Sequence, residues 1–363
     1  MHSDSSCDLP KFIWMRVAKF FHLNARTLIR SPRSRRRSLR RRARLVVCLF
    51  AVTFLFALIA VWAVGDQLHP SATDPDYCTR RDLLRQRMAE APGSATVVML
   101  GSSRSLYGFA PEEIPATITR QGQPLVWFNC AHNGAGPILQ LVILKRLLAD
   151  GLRPDLVSIE IMPSYVTRDD SRFLSHFLSF GELASVRPFV RIPELAWNAY
   201  RHRFSKPEQM RRVILGPEPM PSRSHGGLAR ADENYSKDER ARRLAVEHRT
   251  HLKVISEVVV SASADMVFRE MLTLCRMHGI QPVMILSPEG SNFQSWYDSA
   301  RWTRFQERIE RFADEQGVVL INARNWLTEE QFVDSHHPTE AGAKVFTTRF
   351  VEELKTVWDN RSK

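Results

Sequence analysis

Thr96–Arg104 reads TVVMLGSSR: a short run rich in apolar and β-branched residues, closed by Gly-Ser-Ser-Arg. Such a run fits a strand buried on both faces, and the glycine and serines behind it fit a turn into a helix. Four similar runs follow, at Leu125–Asn129 (LVWFN), Asp155–Ile161 (DLVSIEI), Pro282–Leu286 (PVMIL) and Val318–Asn322 (VVLIN). Longer amphipathic stretches alternate with them, at Pro137–Asp150, Ala264–His278 and Ala300–Glu315. Strands of this kind separated by helices specify a parallel sheet covered on both sides. The expected fold class is therefore α/β: a single doubly wound, flavodoxin-like parallel sheet of about five strands within residues 94–360.

Residues 170–250 contain no convincing buried strand, and Gly216–Gly227 (GPEPMPSRSHGG) is rich in proline and glycine. This stretch reads as a mostly helical insertion between the third and fourth strands, a long connection of the sort that often serves function.

Outward to the N-terminus, Leu45–Val64 (LVVCLFAVTFLFALIAVWAV) carries no charge, and as a helix it is long enough to cross the hydrocarbon core of a bilayer. Arg30–Arg44 before it holds nine arginines in fifteen residues. A basic flank stays cytoplasmic, so a single-pass cell-membrane protein with an extracytoplasmic C-terminal domain is expected. The apolar core is too long, and Ala60–Gly65 too poor a cleavage site, for a removed signal peptide. The expected organisation is a basic tail over 1–44, a transmembrane helix over 45–64, a linker and helix over 65–93, and the α/β domain beyond.

The formal charge of +12 suggests a nucleic-acid binder until it is divided by segment. Residues 1–44 hold 13 Lys/Arg against 2 acids, whereas 65–363 hold 38 against 37. The outer body lacks the electrostatic footprint of a DNA or RNA interface, and no nucleic-acid partner is expected. Cys78, Cys130 and Cys275 permit at most one disulfide outside the membrane, and with no C-x-x-C spacing they suggest neither zinc nor redox chemistry.

In open α/β sheets ligands gather beyond the carboxyl ends of the strands. The turns there are Gly101-Ser102-Ser103-Arg104, Asn129 to Gly136, and Met162-Pro163-Ser164-Tyr165, with Asp334-Ser335-His336-His337-Pro338 after the last strand. Serine needs an adjacent base, and the base an orienting group. Asp334 and His337, three apart in a turn before a helix, can serve as that pair. The Asp334 charge favours the imidazolium formed in proton transfer and the helix end opposes it, which keeps a general base near its working range.

Taken together, strand-Gly-x-Ser at Gly101–Ser103, Asn-x₄-Gly at Asn129–Gly134 and Asp-x-x-His-Pro at Asp334–Pro338 resemble the SGNH, or GDSL-type, hydrolases. The Gly-Ser-Ser-Arg form is similar to the membrane-anchored SGNH-like proteins of cell-envelope polysaccharide O-acetylation. The resemblance spans about residues 94–350, without the anchor or the insertion. It implies Ser103 as nucleophile, His337 as base and Asp334 as its partner. It also implies the Ser103 and Gly134 backbone N–H groups as oxyanion donors, with Ser164 where the family usually supplies an asparagine. A membrane partner that delivers the acyl group is implied if transfer is the task.

Arg104, Asn133 and His336 are candidate substrate contacts, although Arg104 can equally pair with a carboxylate. His132 is an equal candidate for pocket lining or loop polarity. Asn292, Trp296 and Tyr297 could stack on sugars or pack as a loop. His248 and His251 read as a solvated helix face. Asp334, His336 and His337 lack a fourth clustered ligand, so no metal or cofactor is expected. The function expected is acyl-ester chemistry on an envelope or exported glycan, by O-acetyl transfer or removal. A stand-alone esterase or lipase-like hydrolase, and a catalytically silent scaffold subunit, are the alternatives.

Overall fold

The computed structural model describes residues 32–68, 73–120, 122–166, 171–204, 211, 215, 226–227, 235–256 and 258–361. The chain divides into two compact units, Met1–Ile59 and Ala60–Lys363. Helix α1, Pro32–Leu68, runs well beyond the apolar segment at both ends. Over Leu39–Leu68 it is long and apolar enough to cross a membrane. In the first unit its apolar side chains, among them Val46, Phe50, Phe54 and Phe56, are exposed. An apolar helix with its side chains exposed suits a lipid environment. The basic tail before residue 32 lies outside the described residues.

In the second unit Trp62 is buried, edge-on to Phe180 at 5.1 Å. Helix α2, Pro75–Glu90, starts at Asp74, whose carboxylate accepts the Tyr77 N–H, and Pro75 occupies its first turn. Then come β1 (Ala95–Leu100), α3 (Ser103–Gly108), β2 (Thr119–Arg120), β3 (Gln123–Asn129), α4 (Pro137–Ala149) and β4 (Leu156–Ile161). Helix α5 (Pro163–Val166) follows β4 directly, and the insertion carries α6 (Ser171–Leu174), α7 (Ile192–Phe204) and α8 (Lys237–Ile255). The chain closes with α9 (Ala262–Met277), β5 (Gln281–Leu286), α10 (Ser291–Gln294), α11 (Ser299–Gln316), β6 (Val319–Asn322) and α12 (Glu340–Arg361).

The strands line up in the order β2-β3-β1-β4-β5-β6. The five long strands are mutually parallel, while β2 pairs antiparallel with β3. This corrects the five-strand, purely parallel expectation: the sheet has six strands and is mixed. The added edge is a hairpin of two residues per strand, Thr119↔Pro124 and Arg120↔Gln123, too short for any hydrophobic alternation to announce it.

Both faces of the sheet are covered, as near-continuous apolar strands require. Val98, Leu100, Val157 and Ile159 pack with Leu141, Leu144, Phe268 and Phe312, beneath α4, α9 and α11. Val97, Met99, Val283 and Ile285 pack with Phe346, Phe350 and Leu354 of α12. Burying each such side chain contributes roughly 1.5–3 kcal/mol. The described parts of the insertion are helices joined by turns, with no strand among them. Most of the Gly216–Gly227 loop lies outside the described residues, but Gly226 returns to the sheet and accepts the Asn129 N–H at 2.9 Å.

Candidate active site

The sheet delivers Ser103 at the carboxyl end of its central strand, where β1 ends and α3 begins. Ser102 caps α3 with its hydroxyl toward the Arg104 N–H, which leaves Ser103 in the first helical turn. The turn is tight: a Cβ on Gly101 would sit 2.5 Å from both the Glu160 Oε2 and the Ser105 Oγ. Glu160 is fully buried on β4 and accepts the Ser102 N–H. Asn129, at the end of β3, holds the other end of α3. Its Nδ2 donates to the carbonyls of Ser105 (2.9 Å), Leu106 (3.3 Å) and Phe109 (2.7 Å).

The loop after β6 brings its residues to the same edge. The Ser103 hydroxyl lies 2.8 Å from His337 Nε2, and His337 Nδ1 lies 2.8 Å from Asp334 Oδ2. Asp334 Oδ1 also accepts the His337 backbone N–H at 2.9 Å. With Nδ1–H donated to the carboxylate, Nε2 is left as the acceptor for the serine O–H. Burial works to raise the Asp334 carboxyl, but the His337 hydrogen bond and the His336 and His337 charges outweigh it and hold it well below the usual carboxylate range. The Tyr107 ring meets the His337 ring at 90° and 5.5 Å.

Ser335, between these residues, has a φ of 70°, an uncommon conformation for a residue with a side chain. Its surroundings hold it there. The Phe293 N–H donates to its hydroxyl (2.9 Å), its hydroxyl donates to Glu329 (3.2 Å), and the Gly290 N–H donates to its carbonyl (2.7 Å). A Cβ at Gly290 would meet the Ser335 carbonyl oxygen at 2.9 Å.

Of the remaining candidates, Gly134 adopts a φ of +67°, and a Cβ there would fall 2.3 Å from the Phe173 ring of α6. Asn133 beside it is exposed. Ser164 is fully buried, and among the described residues its hydroxyl has no hydrogen-bond partner. Of the two readings open to Arg104, the carboxylate pairing is present: buried, it donates to Glu289 at 2.7 Å and lies 4.5 Å from the centre of the Phe293 ring. Glu289 in turn accepts from the Tyr297 hydroxyl (2.6 Å) and from Arg324 (2.8 Å). Tyr297 and Trp296 therefore pack within the loop after β5, the latter 4.7 Å from Phe293.

His336 is buried between His337 and Phe293. Burial, reinforced by the His337 charge, holds its imidazole well below the usual histidine range. His251 is no solvated face: it is buried 5.7 Å from His336. His132 joins Asp74 (3.3 Å) and Asp76 (3.6 Å) at the start of α2 and leaves no imidazole surface for a pocket. Cys78, Cys130 and Cys275 are buried free thiols, and burial pushes Cys130 up to about 12.

Sequence reasoning missed Glu160 and Glu289. An acid inside the apolar run LVSIEI is a usable signal, because a carboxylate buried on both sides of a sheet must have a stated partner.

A family of proteins of unknown function, DUF1574, matches residues 42–184, less than half of the chain. A second, undescribed family matches residues 228–358. No curated protein matches significantly. Among solved structures the chain is similar to a "putative acylhydrolase" of Bacteroides fragilis NCTC 9343, at 12% identity and a TM-score of 0.37, over 76% of this chain and 94% of that one. It is also similar to a GDSL-like lipase of Bacteroides thetaiotaomicron VPI-5482, at 10% identity and a TM-score of 0.34, over 76% of this chain and 98% of that one.

Proposed function

We propose that the chain performs acyl-ester chemistry through an acyl-enzyme on Ser103. The observation that carries this reading is the hydrogen-bonded relay from Ser103 Oγ through His337 to Asp334, with both links at 2.8 Å. In the proposed cycle the Ser103 oxygen attacks the ester carbonyl as its proton passes to His337 Nε2. Asp334 stabilises the imidazolium, and the carbonyl oxygen carries the negative charge of the tetrahedral intermediate. That charge is met by the Ser103 and Gly134 backbone N–H groups and by the Ser164 hydroxyl, whose lack of a partner among the described residues favours a role toward a ligand. Collapse breaks the bond to the leaving alkoxide, which takes the proton from His337. An acceptor hydroxyl or water then repeats the sequence in reverse.

The proposed substrate is an O-acetylated glycan of the cell envelope or an exported polysaccharide, modified by acetyl transfer or removal. Three features support it: the candidate membrane span, the charge balance of residues 65–363, and the resemblance of the three motif blocks to anchored SGNH-like proteins. In this reading the domain is extracytoplasmic and a membrane partner supplies the acyl group for transfer. Turnover of a chromogenic acetyl ester by the full-length chain in detergent is the test. His337→Ala and Asp334→Asn are each expected to lower kcat by about 10⁴-fold. Unchanged turnover in both would refute the relay.

A further inference from the structure

We propose that Glu247, His251 and His336 form a binding site for one divalent transition-metal cation of the zinc class, joining helix α8 of the insertion to the loop that carries Asp334 and His337. Glu247 and His251 are four apart on α8, so both project from one face of the helix. His251 Nε2 is 3.2 Å from Glu247 Oε2, and His336 Nε2 is 3.8 Å from the same oxygen. One ligand atom from each of the three residues falls within 4.8 Å of the other two. Tetrahedral bonds of about 2.0–2.1 Å place ligand atoms about 3.3 Å apart, so small side-chain movements complete the geometry.

Two further observations point to a cation in place of a simple ion pair. The His336 Nδ1 faces the Asp334 carbonyl at 3.4 Å, the outer partner that fixes a ligating histidine with Nε2 toward the metal. His251 is buried, and its Nδ1 has no hydrogen-bond partner among the described residues, so either ring nitrogen is free to turn toward a cation. Two imidazoles and one carboxylate select zinc-class cations over magnesium or calcium, and they leave the fourth position to water. Glu247 is partly exposed, which gives a cation a way in. The neighbouring set Asp334, His336 and His337 is the poorer cage, because both nitrogens of His337 are engaged, with Asp334 and with Ser103. The site stands whether or not Ser103 is a nucleophile.

The test is Zn²⁺ titration of the chelator-stripped full-length chain in detergent, followed by calorimetry and melting temperature, with Co²⁺ as a visible-spectrum probe. The expected result is one tight equivalent, a higher melting temperature with Zn²⁺, and the intense visible bands of four-coordinate Co²⁺. Glu247→Gln and His251→Ala are each expected to weaken binding at least tenfold. The near-isosteric Glu247→Gln keeps the comparison sound if His251→Ala unfolds. No saturable equivalent in wild type would overturn the proposal. So would an equivalent that survives in Glu247→Gln with unchanged affinity, or one lost only in Asp334→Asn.

Discussion

Ser103 and His337 are 234 positions apart in sequence and 2.8 Å apart in space, so the relay exists only because two loops end at one sheet edge. What holds the distance is the shape of the turn around Ser335. A non-glycine residue at positive φ costs about 1–3 kcal/mol, and here two hydrogen bonds from the loop after β5 and one to Glu329 of its own loop offset it. Ser164 offers a sharper experiment. Its buried hydroxyl has no partner among the described residues, so Ser164→Ala is expected to leave the melting temperature unchanged or slightly raised. If the hydroxyl meets the oxyanion, kcat for an acetyl ester falls by about 10²-fold in the same variant. Equal activity would remove Ser164 from the site. At this scale the sequence showed residue types and spacing well, which is why Asp334, His337 and Ser103 could be grouped before any distance was known. It did not show burial: Arg104 looks the same on paper whether it faces solvent or Glu289.

Among the elements, short α3 and the loop after β3 depend on each other. Asn129 ties three carbonyls of the α3 segment to the end of β3, and the His132 N–H donates to the Gly101 carbonyl at 2.8 Å. The insertion closes over this loop through Phe173, whose ring occupies the space a side chain at Gly134 would need. Gly134→Ala is therefore expected to destabilise the fold by about 1–3 kcal/mol, from the left-handed backbone and from the clash together. Phe173→Ala in the same chain should restore only part of that loss, since it relieves the clash and not the φ. Full restoration, read from chemical denaturation, would show that the backbone conformation is not what requires glycine.

All five long strands were legible because apolar β-branched runs have few alternatives when amphipathic helices separate them. The β2 edge was not, since two residues carry no period. Helix α8 misled for a different reason: EHRTHLK is polar by composition, and only its tertiary contact with Phe293 and His336 buries His251.

Among the described residues of the Ala60–Lys363 unit, two knots of buried charge lie apart from the Asp334 cluster. One joins Asp74, Arg146, Glu182 and His132 where α2 meets α4; Asp74 and Arg146 lie 2.6 Å apart. The other joins Arg104, Glu289 and Arg324 behind the Ser103 turn. Burial acts to raise both Asp74 and Glu289, but their cationic partners outweigh it and hold both below the ordinary range. A carboxylate with a depressed folded pKa binds protons more readily unfolded, so stability is present above the unfolded value near 4 and is lost as pH falls below it. Denaturation midpoints should drop steeply from about pH 4 downward, and Asp74→Asn should flatten that slope while lowering stability at neutral pH. An unchanged slope would mean that Asp74 is not held as a buried anion.

The central claim, an acyl-enzyme on Ser103, is tested most directly by the intact mass of the full-length chain after brief exposure to an activated acetyl ester, beside Ser103→Ala. One added acetyl group in the wild type and none in Ser103→Ala is the predicted result. Its loss in water alone would identify a hydrolase, and its release only on adding a glycan acceptor a transferase. An acetyl group that persists in Ser103→Ala, or that never forms in the wild type, would contradict the account.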